Sequence, residues 1–307
     1  MDTEDEHAQA ARRRLLSPIL QTGDFRTLAS SVEVELGACS HRGKRQQHND
    51  DHYLAIRLGR SQTVLETSLT SAEVPRPFEE YAYAMLVADG IGSSGAGGLA
   101  SRIALSTFAH LALHYGHWNI RIDSRTAADV MDRAERLYER VNDTVLKRGM
   151  EHAELQGMAT TLTAAYSAGN DLFIAHVGHS RAYYYREGEL TQLTVDHTLE
   201  ERMAHGAKPQ SLEAGSQDLG HILTDTIGGR AGAPEIAIDR FTLKDGDRLM
   251  LCTNGLTDAL DDGRIADVLC RRRQPKEECR SLVDRALERG GEDNITVVLA
   301  DYRIPPI

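Results

Sequence analysis

Apolar and polar positions change their period several times along this chain, and each change marks an element. Val32-Glu33-Val34-Glu35-Leu36 alternates apolar with acidic side chains, as a half-buried strand requires. Further strands are predicted at 52–57 and 81–88; the polar stretch between them, 58–80, holds Pro75 and Pro77 and reads as a surface excursion. The spacing then becomes helical over 97–115 and 126–148, the second with Ala127, Val130, Ala134, Leu137 and Val141 beside charged neighbours. Strand signals return at 159–167, 171–177, 180–186 and 189–194, joined in part by the hairpin links Ala168-Gly169-Asn170-Asp171 and Arg186-Glu187-Gly188-Glu189. A short helix at 198–205 and a polar flap at 206–221 follow, then strands at 235–241 and 247–253. Helices at 263–271 and 276–289 precede a last strand at 294–302. Strands grouped apart from helices predict an α+β domain rather than alternating β-α-β units.

Composition narrows the class. A chain of 307 residues that is 41% hydrophobic can fill a real core, which excludes global disorder. One domain over 31–303 is expected, with 1–30 as a peripheral leader whose Arg12-Arg13-Arg14 run is solvated. Acidic residues number 46 against 35 basic ones, a net charge of -11, so a nucleic-acid or anionic-membrane partner is not expected. No stretch approaches the roughly 20 apolar residues of a membrane span. The acidic N-terminus never develops the apolar region of a signal peptide. Cys39, Cys252, Cys270 and Cys279 lack C-x-x-C spacing and are too few for a disulfide framework, so a reducing cytoplasm is the expected setting.

The loudest local signal is Asp89-Gly90-Ile91-Gly92-Ser93-Ser94-Gly95, a literal G-x-G-x-x-G between a predicted strand and a predicted helix. Three features speak against dinucleotide binding. Asp89 sets a carboxylate beside the would-be pyrophosphate, the stretch from Phe108 to Trp118 lacks the ribose-binding acid, and the β-α-β alternation is missing. The alternative is a cation site, with Asp89 and a backbone carbonyl offering the oxygen donors that Mg²⁺ and Mn²⁺ prefer. Other acids recur at strand ends: Asp50 and Asp51 before the second strand, and Asp293 at the mouth of the last. Leu251-Cys252-Thr253-Asn254-Gly255 ends another apolar strand on a polar residue and a glycine.

In order, the segments HNDDHYL, LVADGIG, GMATTLTAAY, HVGHSRAYYYREGELTQLTVDH, ILTDTIGG, GDRLMLCTNGLTDAL and GGEDNITVVLADY resemble the metal-dependent serine/threonine protein phosphatases of PPM type, also called type 2C. The resemblance runs from about residue 32 to 302. It implies a four-layer α-β-β-α sandwich, two antiparallel sheets flanked by helix pairs. It also implies two divalent cations, Mg²⁺ or Mn²⁺, sharing a water or hydroxide that attacks a phosphoserine or phosphothreonine. Carried over residue by residue, Asp89 bridges both metals, the Gly90 carbonyl and Asp293 bind metal, and Asp50 and Asp51 stand where the family has a Glu-Asp pair. Asn294 orients Asp293, and Thr160 and Thr161 are structural. The implied partners are phosphorylated proteins, among them a Ser/Thr kinase or its targets.

Departures from the family pattern fall close to the chemistry. Thr253-Asn254-Gly255 replaces a Ser/Thr-Asp-Gly metal motif, leaving Asn254 as a neutral oxygen donor. His179 replaces an aspartate associated with a third metal, so that third site is in doubt. Gln46 stands where the family has a phosphate-binding arginine; Arg42 and Arg45 are the neighbouring cations, and strand alternation would turn Arg45 away from residue 46. Ala159 replaces a glycine, and Ser93 follows Gly92 in place of the second glycine of a pair. Two functions follow: a metal-dependent phosphoprotein phosphatase of reduced activity, or a pseudophosphatase that binds phosphoproteins without turnover.

Overall fold

The computed structural model describes residues 31–69, 74, 77–92, 95–115, 124–206, 219–229 and 232–305. The leader at 1–30 and most of the flap at 206–221 therefore lie outside the described residues. One sheet has five strands in the order β1-β12-β11-β7-β8: β1 (Glu33–His41), β12 (Ile295–Arg303), β11 (Arg248–Cys252), β7 (Arg181–Arg186) and β8 (Glu189–Gln192). The other has seven. Its path is β10 (Ala237–Thr242), β6 (Asp171–Val177), β5 (Leu162–Ala168), β3 (Phe78–Ile91), β4 (Ala159–Thr160) and β9 (Ile227–Gly228), with β2 (Asp51–Gln62) paired to β3. Every pairing is antiparallel.

Strand period assigns the layers. On β3, Ala84, Leu86 and Ala88 turn to one face and pack with Ala100, Ala104 and Tyr138 of α1 (Ala96–Tyr115) and α2 (Ser124–Glu151). Met85 and Val87, on the opposite face, join Leu249, Leu251, Val298 and Ala300 of the five-stranded sheet to form the central layer. That sheet's outer face carries Met250, Val297 and Leu299. They are covered by α4 (Asn254–Thr257), α5 (Asp262–Leu269) and α6 (Pro275–Glu288) through Leu256, Ile265, Leu282 and Val283. The result is the α-β-β-α sandwich. A last short helix, α3 (Leu199–Ala204), starts at Thr198, whose hydroxyl accepts the Glu201 N–H. Asp261 caps α5 in the same way, and Pro275 opens α6 where its missing N–H costs nothing.

Two sequence readings need correction. The excursion over 58–80 is shorter than expected, because β2 and β3 continue as a paired ribbon with Arg57 opposite Tyr83 and Gln62 opposite Phe78. Polar side chains support it across the strands: Arg60 bonds Glu80 at 2.6 Å, and the Arg57 guanidinium sits over the Tyr81 ring at 4.6 Å. The strand expected over 159–167 is broken at Thr161, whose N–H turns to the Asp89 carbonyl at 2.9 Å.

A buried histidine gives the fold a pH dependence. His176 on β6 is 1% exposed, shares a hydrogen bond with Thr163 at 2.8 Å and packs against the His197 ring. Burial lowers its pKa from 6.5 to about 3. The unfolded chain therefore takes up a proton near pH 6.5 that the folded chain refuses. Stability from this group is complete above that pH and drains as pH falls toward 3, at no more than about 1.4 kcal/mol per pH unit. Unfolding in urea should show a smaller loss of stability between pH 7 and pH 5 for His176→Gln than for the parent chain; equal losses would mean that His176 is not a source of the pH dependence.

Candidate active site

The strand ends bring the acids together. Register sets Asp51 directly opposite Asp89, and period two places Asp89 on the same face as Met85 and Val87. Both carboxylates thus lie at one end of the space between the sheets. From the facing sheet, Thr253 donates its hydroxyl to Asp51 Oδ2 at 2.7 Å and accepts the Thr296 N–H at 3.0 Å. Asp293 and Asn294 immediately precede β12, and Asn254 begins α4.

The backbone around Asp89 is tightly held. Its N–H donates to the Thr161 hydroxyl at 3.0 Å, and its carbonyl accepts the Thr160 hydroxyl at 2.8 Å. Gly90 meets the first turn of α1 so closely that a Cβ there would lie 2.2 Å from the Gly97 carbonyl oxygen. Only glycine permits that approach. The G-x-G-x-x-G run thus packs a helix against a strand end.

The electrostatics are those of excess negative charge. Burial, then the charges of Asp51 and Asp293, hold the Asp89 carboxyl well above the ordinary range. Burial likewise raises Asp51, against hydrogen bonds from Thr253 and Thr296 that favour its anion. Asp51 Oδ1 and Asn254 Oδ1 are buried without a hydrogen-bond partner. Orphaned oxygens beside mutually repelling carboxylates are what a hard cation would satisfy. Among the described residues no three His, Cys, Asp or Glu side chains are set to hold a metal by themselves. The fit therefore depends on neutral oxygens, those of Asn254 and the Gly90 carbonyl, beside Asp51, Asp89 and Asp293. Sparse protein donor sets suit Mg²⁺, which keeps several of its waters.

Other expected residues are placed differently. The Asp50 carboxylate lies against the start of α1, where a Cβ on Gly98 would fall 2.5 Å from its Oδ1. Asp50 meets the site through its backbone, its carbonyl accepting the Gly90 N–H at 3.2 Å. Residues 43–45 form a turn, so strand alternation does not set the direction of Arg45. Arg45 pairs with the exposed Glu292 at 2.9 Å, whereas Gln46 donates its amide to Asp293 Oδ1 at 3.0 Å. Arg42 is exposed on the same loop. The Asn294 side chain clamps that loop, donating to the Arg42 and His48 carbonyls at 2.9 Å and accepting the Asp50 N–H at 2.6 Å. Its own N–H holds Asp293 Oδ1 at 2.8 Å.

His179 is committed elsewhere. Its Nε2 lies 3.1 Å from Asp196 Oδ2, and Arg181 grips the same carboxylate at 2.6 Å. Burial opposes the Asp196 charge, yet the bonds from His179 and Arg181 lower its pKa to about 2. The sequence reading missed Asp258, which accepts the Asn254 amide at 3.2 Å and whose pKa burial raises. Its signal was the i, i+4 spacing from Asn254 across the start of a helix.

A profile of the Protein phosphatase 2C family matches residues 77–290. The chain belongs to that family. Over 217 residues it is 33% identical to the serine/threonine protein phosphatase PstP of Mycobacterium tuberculosis, an alignment covering 71% of this chain and 40% of that protein. The chain thus spans well under half of that relative's length. It is 30% identical over 222 residues to the serine/threonine phosphatase stp of Listeria welshimeri, covering 72% of this chain and 84% of the relative. The crystal structure of the PstP catalytic domain in complex with two manganese ions superposes with a TM-score of 0.65 at 27% identity, over 89% of this chain and 99% of that one. PPM phosphatases use divalent metals, and this type 2C chain shares their sandwich. No helix among the described residues is long and apolar enough to cross a membrane.

Proposed function

We propose that this chain is a metal-dependent serine/threonine phosphoprotein phosphatase. The observation that carries the reading is the meeting of Asp51, Asp89 and Asp293 at one end of the sandwich, beside the unpartnered oxygens of Asp51 and Asn254. The activities named for its relatives support the substrate class. Asp51, Asp89, Asp293, Asn254 and the Gly90 carbonyl would hold two cations, Mg²⁺ or Mn²⁺. Such cations, when bound, lower the pKa of a coordinated water and neutralise charge on phosphoryl oxygens.

The chain's own residues have distinct tasks. Thr253 orients Asp51, and Asn294 ties the 42–50 loop to the root of β12, so the acids reach the cleft from rigid elements. Arg42 and Lys44 are the cations on that loop proposed to meet substrate phosphate, because Arg45 is engaged by Glu292. A third cation finds little support, with His179 bound to Asp196 and Asn254 neutral. Phosphorylated proteins, including a Ser/Thr kinase or its targets, are the proposed partners, in a signalling role. Four free thiols fit a cytoplasmic setting.

A second reading, a phosphoprotein-binding pseudophosphatase, is favoured by the amides of Gln46 and Asn254. Each satisfies an acid of the site, Asp293 and Asp258, without a cation. Asn254→Asp separates the two. Adding a carboxylate should raise Mn²⁺ affinity about tenfold and increase hydrolysis of an aryl phosphate and of a phosphothreonine peptide. Turnover in neither protein would sink the phosphatase and favour the binding module, which a pull-down of phosphorylated partners would then detect.

A further inference from the structure

An apolar cavity of about 190 Å³ lies between the outer face of the seven-stranded sheet and the helix pair α1–α2, away from the acids. It exists because small side chains meet there: Ala84, Ala164 and Ala175 on the sheet, Ala112 and Ala134 on the helices. Phe108, Leu137, Tyr166 and Phe173 wall it. The cavity is half open to solvent on its arginine side. An apolar cavity of about 150 Å³ stays dry and admits benzene.

The rim is of opposite character. Arg133, Arg136 and Arg140 line the same cavity from α2, at i, i+3 and i+7 on one helix face. Arg136 and Arg140 are exposed and Arg133 is half-buried, so the guanidinium groups stand where apolar lining gives way to water. The charged side chains lining the cavity are these three arginines, whereas Asp129, Asp132, Glu135 and Glu139 of the same helix are exposed and outside its lining.

We propose that this cavity binds a small amphipathic anion, an alkyl or aryl carboxylate with its tail among the alanines and its carboxylate among the arginines. Cavity size sets the tail at roughly eight carbons or one aromatic ring. Arginine suits the head group because its fork pairs with both carboxylate oxygens. The site is independent of the phosphatase reading, since none of its residues belongs to the strand-end cluster.

Calorimetric titration of the full chain with octanoate tests it, with octylammonium as the opposite-charge probe. One saturable octanoate site is expected, with octylammonium binding at least about tenfold more weakly. Ala164→Leu fills the cavity from the sheet and Ala134→Leu from the helix. Whichever of them keeps the parent's circular dichroism should lose about tenfold or more in octanoate affinity. Arg133→Gln, Arg136→Gln and Arg140→Gln combined should abolish the preference for the anion. Absence of saturable binding, equal affinity for the two probes, or unchanged octanoate affinity in a folded cavity-filling variant would overturn the proposal.

Discussion

Asp89→Asn is expected to lower Mn²⁺-dependent phosphate release by about 10³-fold or more while leaving the chain folded. Asp89 is the acid on which the others converge: Asp51 faces it across the strand pair, and Asp51, Asp293 and Asp258 all raise its pKa. Asparagine has nearly the same shape, so Thr160 and Thr161 can still hold the backbone of residue 89. What it removes is the charge that two cations would share. In chelator, relief of repulsion with Asp51 and Asp293 should leave the melting temperature unchanged or raised. Loss of rate with an intact melting curve marks Asp89 as a residue of the site. A retained rate would take it out of the chemistry, and a collapsed melting curve would make it structural.

Arg248→Ala is expected to have the largest effect on stability, about 3 to 5 kcal/mol. Arg248 is buried in β11 and bonds Asp301 at 2.6 Å, Glu278, and the Leu269 carbonyl at 2.5 Å. Glu278 is itself 1% exposed, so truncation strands a buried carboxylate without its cation. A loss of that size should lower the melting temperature by about 10 °C. Arg248→Met with Glu278→Leu should recover part of it, because the buried Glu278 charge is no longer stranded, while Asp301, 28% exposed, can turn to water. Arg248 starts β11 whereas Thr253 and Asn254 follow its other end, so the rate per folded molecule should stay at the parent value. Calorimetric melting of the two variants checks the first expectation, and phosphate release well below the transition checks the last.

The sandwich was legible because its strands are buried on defined faces. Met85 and Val87 alternating with Leu86 and Ala88 announce a strand whose two faces both meet protein. The continuation of β2 and β3 beyond residue 57 was not legible, since Arg60 and Glu80 are polar and become strand residues only through their pairing across the ribbon. The helix Asn254–Thr257 spans four residues, too few for any period to show. In the site, the strand-end acids were visible as residue types, but direction was not. Asp50 and Asp51 are neighbours in sequence, yet one carboxylate turns to the start of α1 and the other to Thr253. Gln46 was legible only as a missing arginine; that its amide lies on Asp293 depends on the turn at 43–45. Most acids among the described residues are exposed, and the charges of Asp51 and Asp293 bear on Asp89 at one end of the sandwich.

Metal dependence is tested by release of inorganic phosphate from a phosphothreonine peptide by the unaltered chain, followed as Mn²⁺ is added and then removed with chelator. Turnover that rises with Mn²⁺, saturates and disappears with chelator is expected. No release at any Mn²⁺ concentration, or release that survives complete chelation, would contradict it.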